Sequence, residues 1–338
     1  MKALFEFYDI IIVGAGPAGL QCATTLGPSG MSVLLVEKKS EIGPKVCAGG
    51  LTALNDDFSL PPEQTLSFDK QYILLNGRER VVTLAKPVKT IDRRDLGRFQ
   101  LERIQAYQNV HVLTGAGVVS LGQAGLELDG GRRLKFKYLV GADGSLSLVR
   151  RFLKLENKLY YGIQYILPKK RDRMVWFFEP ALIGSGYAWI IPHKTFSSAG
   201  VFFNPGLVSA KKAIEALGIF LDRSGIAYRG AKQEAAPVNC LYRGVEFGNI
   251  FLVGDAAGLA SAATGEGIAY ALVSGEEAAR RIMDRSYQMK HLETILGQKQ
   301  SQEKILALLD RVPALQSWLF RFFFMLAKYR TIQKHLTG

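Results

Sequence analysis

Cysteine is scarce. Only Cys22, Cys47 and Cys240 occur in 338 residues, with no CxxC pair and no cluster among the four histidines. That excludes a disulfide framework, argues against zinc or any other metal, and fits a reducing compartment. There is also no internal repeat, no low-complexity tract, and no apolar run of the ~18 to 20 residues that span a bilayer. The chain opens on a strand-like run without a charged leader or apolar h-region, so a cytoplasmic protein is expected. Acidic residues are in deficit, 30 against 43 Lys and Arg, for a net charge of +13. The basic residues are spread along the chain and carry no helix-turn-helix, zinc-finger or RNP pattern, so no nucleic acid is expected as partner. An anionic lipid surface or an acidic protein suits that charge better. Hydrophobic residues make up 48% of the chain, enough for a large core and about two domains.

The first positive signal is a strand, a glycine turn and a helix. The apolar run Tyr8 to Val13 ends at Gly14-Ala15-Gly16-Pro17-Ala18-Gly19, and Leu20, Ala23 and Leu26 follow at helical spacing. Gly14 permits a tight turn, Gly16 lets backbone approach a pyrophosphate, Gly19 allows close helix-to-strand packing, and the helix start offers unpaired N–H groups to the anion. A second strand, Ser32 to Val36, ends on Glu37 beside Lys38. Glu37 is placed to accept hydrogen bonds from a ribose diol, and its charge disfavours a 2′-phosphate.

A second signature, Gly254-Asp255-Ala256-Ala257-Gly258, stands 240 residues after the first. A nucleotide gripped from both ends of a chain suggests FAD. Asp255 is suited to the ribityl hydroxyls of a flavin, although a helix N-cap is the plainer use of such a residue. Gly265-Glu266-Gly267-Ile268 then opens an Ala-rich helix to about Met283, whose positive end would favour charge on the N1–C2=O edge of a reduced flavin. Between the signatures, Leu139-Val140-Gly141-Ala142-Asp143-Gly144-Ser145 reads as a strand followed by a turn aimed at the same site. An ordinary Asx turn fits Asp143 equally well.

The organisation implied is discontinuous: an α/β, Rossmann-like FAD/NAD(P)-binding domain interrupted by an α+β insertion. Its segments are 1–58, 91–152 and 243–300. Residues 59–90 and 153–242 form an antiparallel, β-rich substrate domain, and 301–338 a C-terminal helical segment. Strands are predicted at Lys158 to Ile166, Met174 to Glu179, Tyr187 to Ile191 and Ala199 to Asn204, with a helix from about Ala210 to Arg223.

With Lys45-Val46-Cys47-Ala48-Gly49-Gly50-Leu51 and Tyr187-Ala188-Trp189-Ile190-Ile191-Pro192 added, the chain resembles FAD-dependent oxidoreductases of the para-hydroxybenzoate hydroxylase-like superfamily. Within it, the resemblance is to the geranylgeranyl reductase family, over residues 8 to about 283. That family shows Lys-Pro-Cys-x-x-Gly-Leu passing the flavin and Tyr-x-Trp-x-Phe-Pro lining the substrate cavity. Here Val46 stands for Pro and Ile191 for Phe. The Gly-x-Gly expected after the strand is half kept as Gly200-Val201-Phe202, and Ser261-Ala262-Ala263 replaces a Pro.

The resemblance implies reduction of carbon–carbon double bonds in isoprenoid chains by hydride from reduced FAD. Cys47 becomes the candidate proton donor or substrate-positioning group. Tyr187 and Trp189 are candidates for the catalytic cavity, with Trp176, Phe177, Phe178, Phe202 and Phe203 as further lining, because aromatic faces stabilise nearby positive charge. Arg93 or Arg98, with spacing favouring Arg93, falls where superfamily members place an FAD-contacting arginine, and Ala48 passes the cofactor with Cys47. No second strand–GxGxxG–helix unit is present, so the electron donor is either transiently bound NAD(P)H or a small acidic protein such as reduced ferredoxin.

Residues 311–338 combine five Lys/Arg with aromatics around Trp318 and no acid. They fit either a helix lying on the inner membrane face, bringing the site to a lipid substrate, or a packed terminal helix. A flavin monooxygenase or halogenase, and a non-enzymatic prenyl-binding escort protein, remain as other readings of the same motifs.

Overall fold

The structure of the protein, a computed structural model, describes residues 5–52, 58, 60–312, 316 and 318. Strands and helices are numbered in chain order. The first sheet runs β15 (Glu246–Phe247), β16 (Ile250–Leu252), β9 (Arg133–Gly141), β1 (Phe7–Val13), β2 (Val33–Glu37), β6 (Val110–Thr114). An antiparallel ribbon, β7 (Val118–Leu121) and β8 (Gly125–Leu128), is attached to β9.

From β16 to β6 the pairing is parallel. Such strands are covered on both faces, which is why Ile10, Ile11, Ile12, Leu34 and Leu35 run without polar interruption and are fully buried. Helices α1 (Pro17–Leu26), α2 (Arg93–Gln105) and α6 (Ile268–Met283) pack together, with α1 central. Asp92 starts α2 by accepting from Arg94 N–H at 2.7 Å. Because the strands are parallel, the turns after β1, β2, β9 and β16 all emerge at one edge, where open sheets of this kind bind ligands.

The second sheet has the order β14 (Lys232–Asn239), β10 (Leu159–Leu167), β13 (Ser197–Phe203), β12 (Tyr187–Pro192), β11 (Met174–Phe178), β4 (Thr65–Leu75), β5 (Arg78–Ile91), β3 (Gly50–Leu51). The sequence predicts an antiparallel sheet, and every pairing is antiparallel except one: β4 lies parallel to β11. No hairpin joins these two strands, so nothing local imposes the antiparallel arrangement. Gly50–Leu51 pairs with Thr90 and Lys89 of β5, which places the end of the Cys47 segment in this second sheet.

One face of the second sheet is covered by α5 (Ala210–Arg223), capped by Ser209 through Lys212 N–H, and by the short α4 (Pro180–Ile183). A short α3 (Leu148–Phe152) follows β9, and α7 (Lys290–Arg311) packs on α6. The predicted boundary at 300/301 therefore falls inside one continuous helix. Beyond Arg311, the predicted basic, aromatic segment lies outside the described residues, apart from Val312, Gln316 and Trp318. Among the described residues no helix is long and apolar enough to cross a membrane.

Candidate active site

At the first glycine turn the site is made of backbone. A Cβ on Gly14, whose φ is +103°, would sit 2.4 Å from the Ala142 carbonyl oxygen, and one on Gly19 would sit 2.0 Å from that of Gly14. Both contacts forbid any side chain and hold α1 tight against the turn. Around the Cβ position of Gly16 there is open space within 4 Å, so the helix start faces a cavity as a phosphate cradle requires. Glu37 Oε2 accepts from Ala15 N–H at 2.8 Å and Oε1 from Lys39 N–H at 3.0 Å. The carboxylate at the end of β2 is thus fixed beside the turn.

The cavity has a volume of about 1040 Å³. It is lined by Gly14, Gly16, Pro17, Ala18, Glu37, Lys38, Cys47, Ala48, Arg93, Asp143, Gly254, Asp255, Gly265, Gly267 and Ile268, and by Tyr187 and Trp189. Gly19, predicted to bind the cofactor, stands behind the wall, where it acts through packing. Of the two arginine candidates, Arg93 lines the cavity and its buried Nε has no partner among the described residues, whereas Arg98 is exposed. A buried guanidinium N–H left unpaired is costly, and an anionic or carbonyl-bearing cofactor would satisfy it.

The two aspartates divide. Asp255 does not cap a helix: its Oδ2 lies 3.0 Å from Lys45 Nζ and 3.1 Å from Ser145 Oγ, facing the cavity. Asp143 reaches further along the chain than an Asx turn does, accepting from Ser147 Oγ at 2.5 Å and Leu148 N–H at 2.6 Å. Its carboxylate organises the start of α3, and its burial pushes the carboxyl pKa up. Arg150, fully buried, donates to the carbonyls of Ala256 (3.0 Å) and Leu241 (2.7 Å) and clamps the second glycine turn from behind.

Opposite the turns, the second sheet presents Trp176, Phe178, Tyr187, Trp189 and Phe202 to the cavity. Phe177 and Phe203, predicted to line it too, point the other way. Phe177 stacks on Phe220 of α5 at 4.7 Å between ring centroids, and Phe203 is buried in the same core. Strand alternation sends neighbouring side chains to opposite faces, so half of a consecutive aromatic run must be core.

Trp189 Nε1–H donates to Ser198 Oγ at 2.9 Å, and Ser198 in turn donates to Gln164. Gly200 lies opposite Trp189 in register, and a Cβ there would meet the indole at 2.3 Å. Phe202, where the family pattern has the second glycine, stacks on Tyr160 and leans on Tyr187, narrowing the chamber. The buried Nε1 of Trp176 has no partner among the described residues.

Residues that the sequence did not single out join the two ends. His193 Nε2 lies 3.0 Å from the Ala48 carbonyl beneath the Cys47 loop, and burial holds its pKa below the usual imidazole value. Gly49 N–H donates to Cys47 Sγ at 3.4 Å. Tyr187 OH donates to Thr264 O at 2.5 Å, and Thr52 Oγ1 donates to Glu266 Oε1. Glu266 is held well above the usual carboxylate range, at about 7, because burial outweighs the bond from Thr52. Its residue surface is still partly open to the cavity, so it is withdrawn from bulk water while facing the chamber. A glutamate wedged between two glycines in a cofactor turn was the available signal. Cys22 and Cys240 are core, with burial pushing both thiols up to about 12.

The chain matches the pyridine nucleotide-disulphide oxidoreductase family over residues 8–175. It is 30% identical over 301 residues to an uncharacterized protein of Methanosarcina barkeri, covering 81% of this chain and 74% of that protein. It is 28% identical over 327 residues to the digeranylgeranylglycerophospholipid reductase of Methanococcus vannielii, covering 86% and 82% respectively. Among solved structures it is similar to a geranylgeranyl bacteriochlorophyll reductase-like protein of Thermoplasma acidophilum. The TM-score is 0.75 at 20% identity, over 97% of this chain and 90% of that one. The fold is shared with a probable FAD-dependent monooxygenase of Pseudomonas aeruginosa, with a TM-score of 0.67 at 19% identity, over 97% and 98%.

Proposed function

The chain belongs to the geranylgeranyl reductase family of FAD-dependent oxidoreductases, and from that premise we propose that it reduces carbon–carbon double bonds in the isoprenoid chain of a lipid. The observation that carries this reading is that the glycine turns of the first sheet and the aromatic face of the second share one chamber. At about 1040 Å³ it is at the upper end of the ~300–1,000 Å³ usual for ligand pockets, with room for a long apolar chain beside a cofactor. When bound, the flavin supplies two electrons as hydride.

In this reading the turn Gly14 to Gly19 holds the pyrophosphate, Glu37 and Lys38 flank the ribose, and Arg93 meets the cofactor with its free Nε. Asp255 receives the ribityl hydroxyls, while the N–H groups at Gly267 and Ile268 face the flavin edge that gains negative charge, and Gly265, whose N–H is bonded to the Ser261 carbonyl at 2.9 Å, shapes the turn before them. Asp143, in the turn after β9, supports the site by holding the start of α3. The chain of the substrate lies between Cys47 with Ala48 on one side and Tyr187 with Trp189 on the other. An isolated alkene has no carbonyl to take up charge, so a dry pocket with aromatic faces is what the chemistry asks of the protein. Cys47 positions the double bond over the cofactor. In domain terms, 1–58, 91–152 and 243–300 bind FAD, 59–90 and 153–242 bind substrate, and 301–338 is an appended helical segment.

Anaerobic reduction of the bound flavin, followed by polyprenyl lipids and mass analysis, tests the assignment. Reoxidation with two hydrogens added to the lipid is expected, and reoxidation without them would sink it. Substrate-stimulated oxygen and NAD(P)H consumption would instead point to the monooxygenase reading, and a colourless protein unable to take up FAD to the escort reading. The electron donor is NAD(P)H or a small acidic redox protein such as ferredoxin, attracted by the +13 charge. Peripheral contact with the inner membrane face through 311–338 predicts that the full chain pellets with anionic vesicles more than 1–310 does.

A further inference from the structure

Building on the proposed alkene reduction, we propose that Glu266, held by Thr52, is the proton donor that completes the reaction. The position is a junction. On one side of it, a Cβ on Gly265 would lie 2.6 Å from the Tyr187 hydroxyl and 3.5 Å from the Phe202 ring. On the other, a Cβ on Gly267 would lie 3.4 Å from Asp255 Oδ1. Glu266 therefore stands where the aromatic, substrate-facing wall meets the ribityl end, and it lines the same chamber as both.

The chemistry of its surroundings favours the acid form. Thr52 is its hydroxyl partner, and among the described residues no cation pairs with it. The ionisable groups around it are otherwise engaged or neutral. Lys45 is paired with Asp255 and Lys299 with Glu303. Tyr187 of β12 and Tyr270 of α6 are kept un-ionised above all by burial. Cys47 stands on the loop that leads to Thr52. A carboxyl held at about 7 keeps its proton near neutral pH and can also release it, the condition for general acid catalysis.

The balance closes. Hydride from the reduced flavin forms one C–H bond and the Glu266 O–H proton forms the other. The alkene π bond, the flavin N–H bond that carries the hydride and the Glu266 O–H bond would break, the flavin would lose two electrons, and the carboxylate would be reprotonated from solvent. Glu266, inside the chamber, thereby takes the proton-donating task, and Cys47 keeps the positioning one.

Two measurements on the FAD-loaded protein test this. Isotope-edited infrared spectroscopy should show a protonated glutamic acid titrating near pH 7 in the wild type and absent in E266Q; a Glu266 ionised throughout pH 5 to 9 would overturn the proposal. In anaerobic single turnover, E266Q should bind and reduce flavin as the wild type does, yet pass electrons to a polyprenyl lipid roughly 100-fold more slowly or worse. E266D should recover part of the rate. Wild-type rates of lipid reduction in E266Q would overturn the proton donor and leave the reductase reading standing. A wild-type protein that hydrogenates no prenyl lipid would remove both.

Discussion

The two ends of the chamber are built from different materials. The dinucleotide end is a set of backbone turns whose geometry admits no side chain, as at Gly14 and Gly19, while the aromatic end is a set of side chains on β11, β12 and β13. A cofactor common to many enzymes is met by atoms every residue possesses, and a particular substrate by side-chain atoms, which differ from one residue type to another. The backbone end should therefore fail completely when disturbed, and the side-chain end should change its preference.

The largest effect is expected at Gly19. Gly19→Val forces a Cβ to 2.0 Å from a carbonyl oxygen, an overpacking costing about 3 kcal/mol. The purified variant should lack flavin absorbance and melt earlier, and a yellow, stable G19V protein would break the contrast. Next, Asp255→Ala removes a carboxylate bonded to Lys45 and Ser145, and flavin affinity by titration should fall roughly 10- to 100-fold, the equivalent of about 1.5–3 kcal/mol. A smaller change of another kind is expected at the opposite end. Phe202→Gly restores the family pattern and opens the chamber. It should shift kcat/KM between polyprenyl chains about 10-fold toward the bulkier one with flavin affinity unchanged, and a loss of flavin in F202G would show that the two ends are not separable.

A last effect concerns stability and pH. The Glu266 pKa rises from 4.5 to about 7 on folding, so between those values the folded state binds more protons than the unfolded one. Stability from this group is then full below about 4.5 and declines as pH rises through about 7. Melting temperatures across pH 4 to 8 should fall less steeply for E266Q than for the wild type. T52V, which removes the bond that lowers the Glu266 value, should move the decline to higher pH.

How much of this was legible follows the range of the interactions. The helix expected from about Ala210 to Arg223 is α5, because its apolar spacing and its Ser209 cap are local. The hairpin of β4 and β5 was covered only by a general expectation of strand structure. Its charged residues, such as Arg78, Glu79 and Arg80, blur the alternation that reveals a strand. Phe177 and Phe203 were assigned to the cavity because a run of aromatics does not state which parity faces inward. Lys45 with Asp255 and Thr52 with Glu266 are pairs separated by more than 200 residues, and no local pattern announces such partners.

The glycine turns, the carboxylates that end strands and the resulting cofactor class are written in consecutive residues, since backbone conformation and capping are decided within a few positions of the chain. Which aromatic faces the chamber, which aspartate turns to Lys45 and which to α3, and how Glu266 comes to lie above the usual carboxylate range depended on the packing of two sheets against each other. Burial and partnership are properties of that packing. They change the chemistry of a side chain without changing its identity.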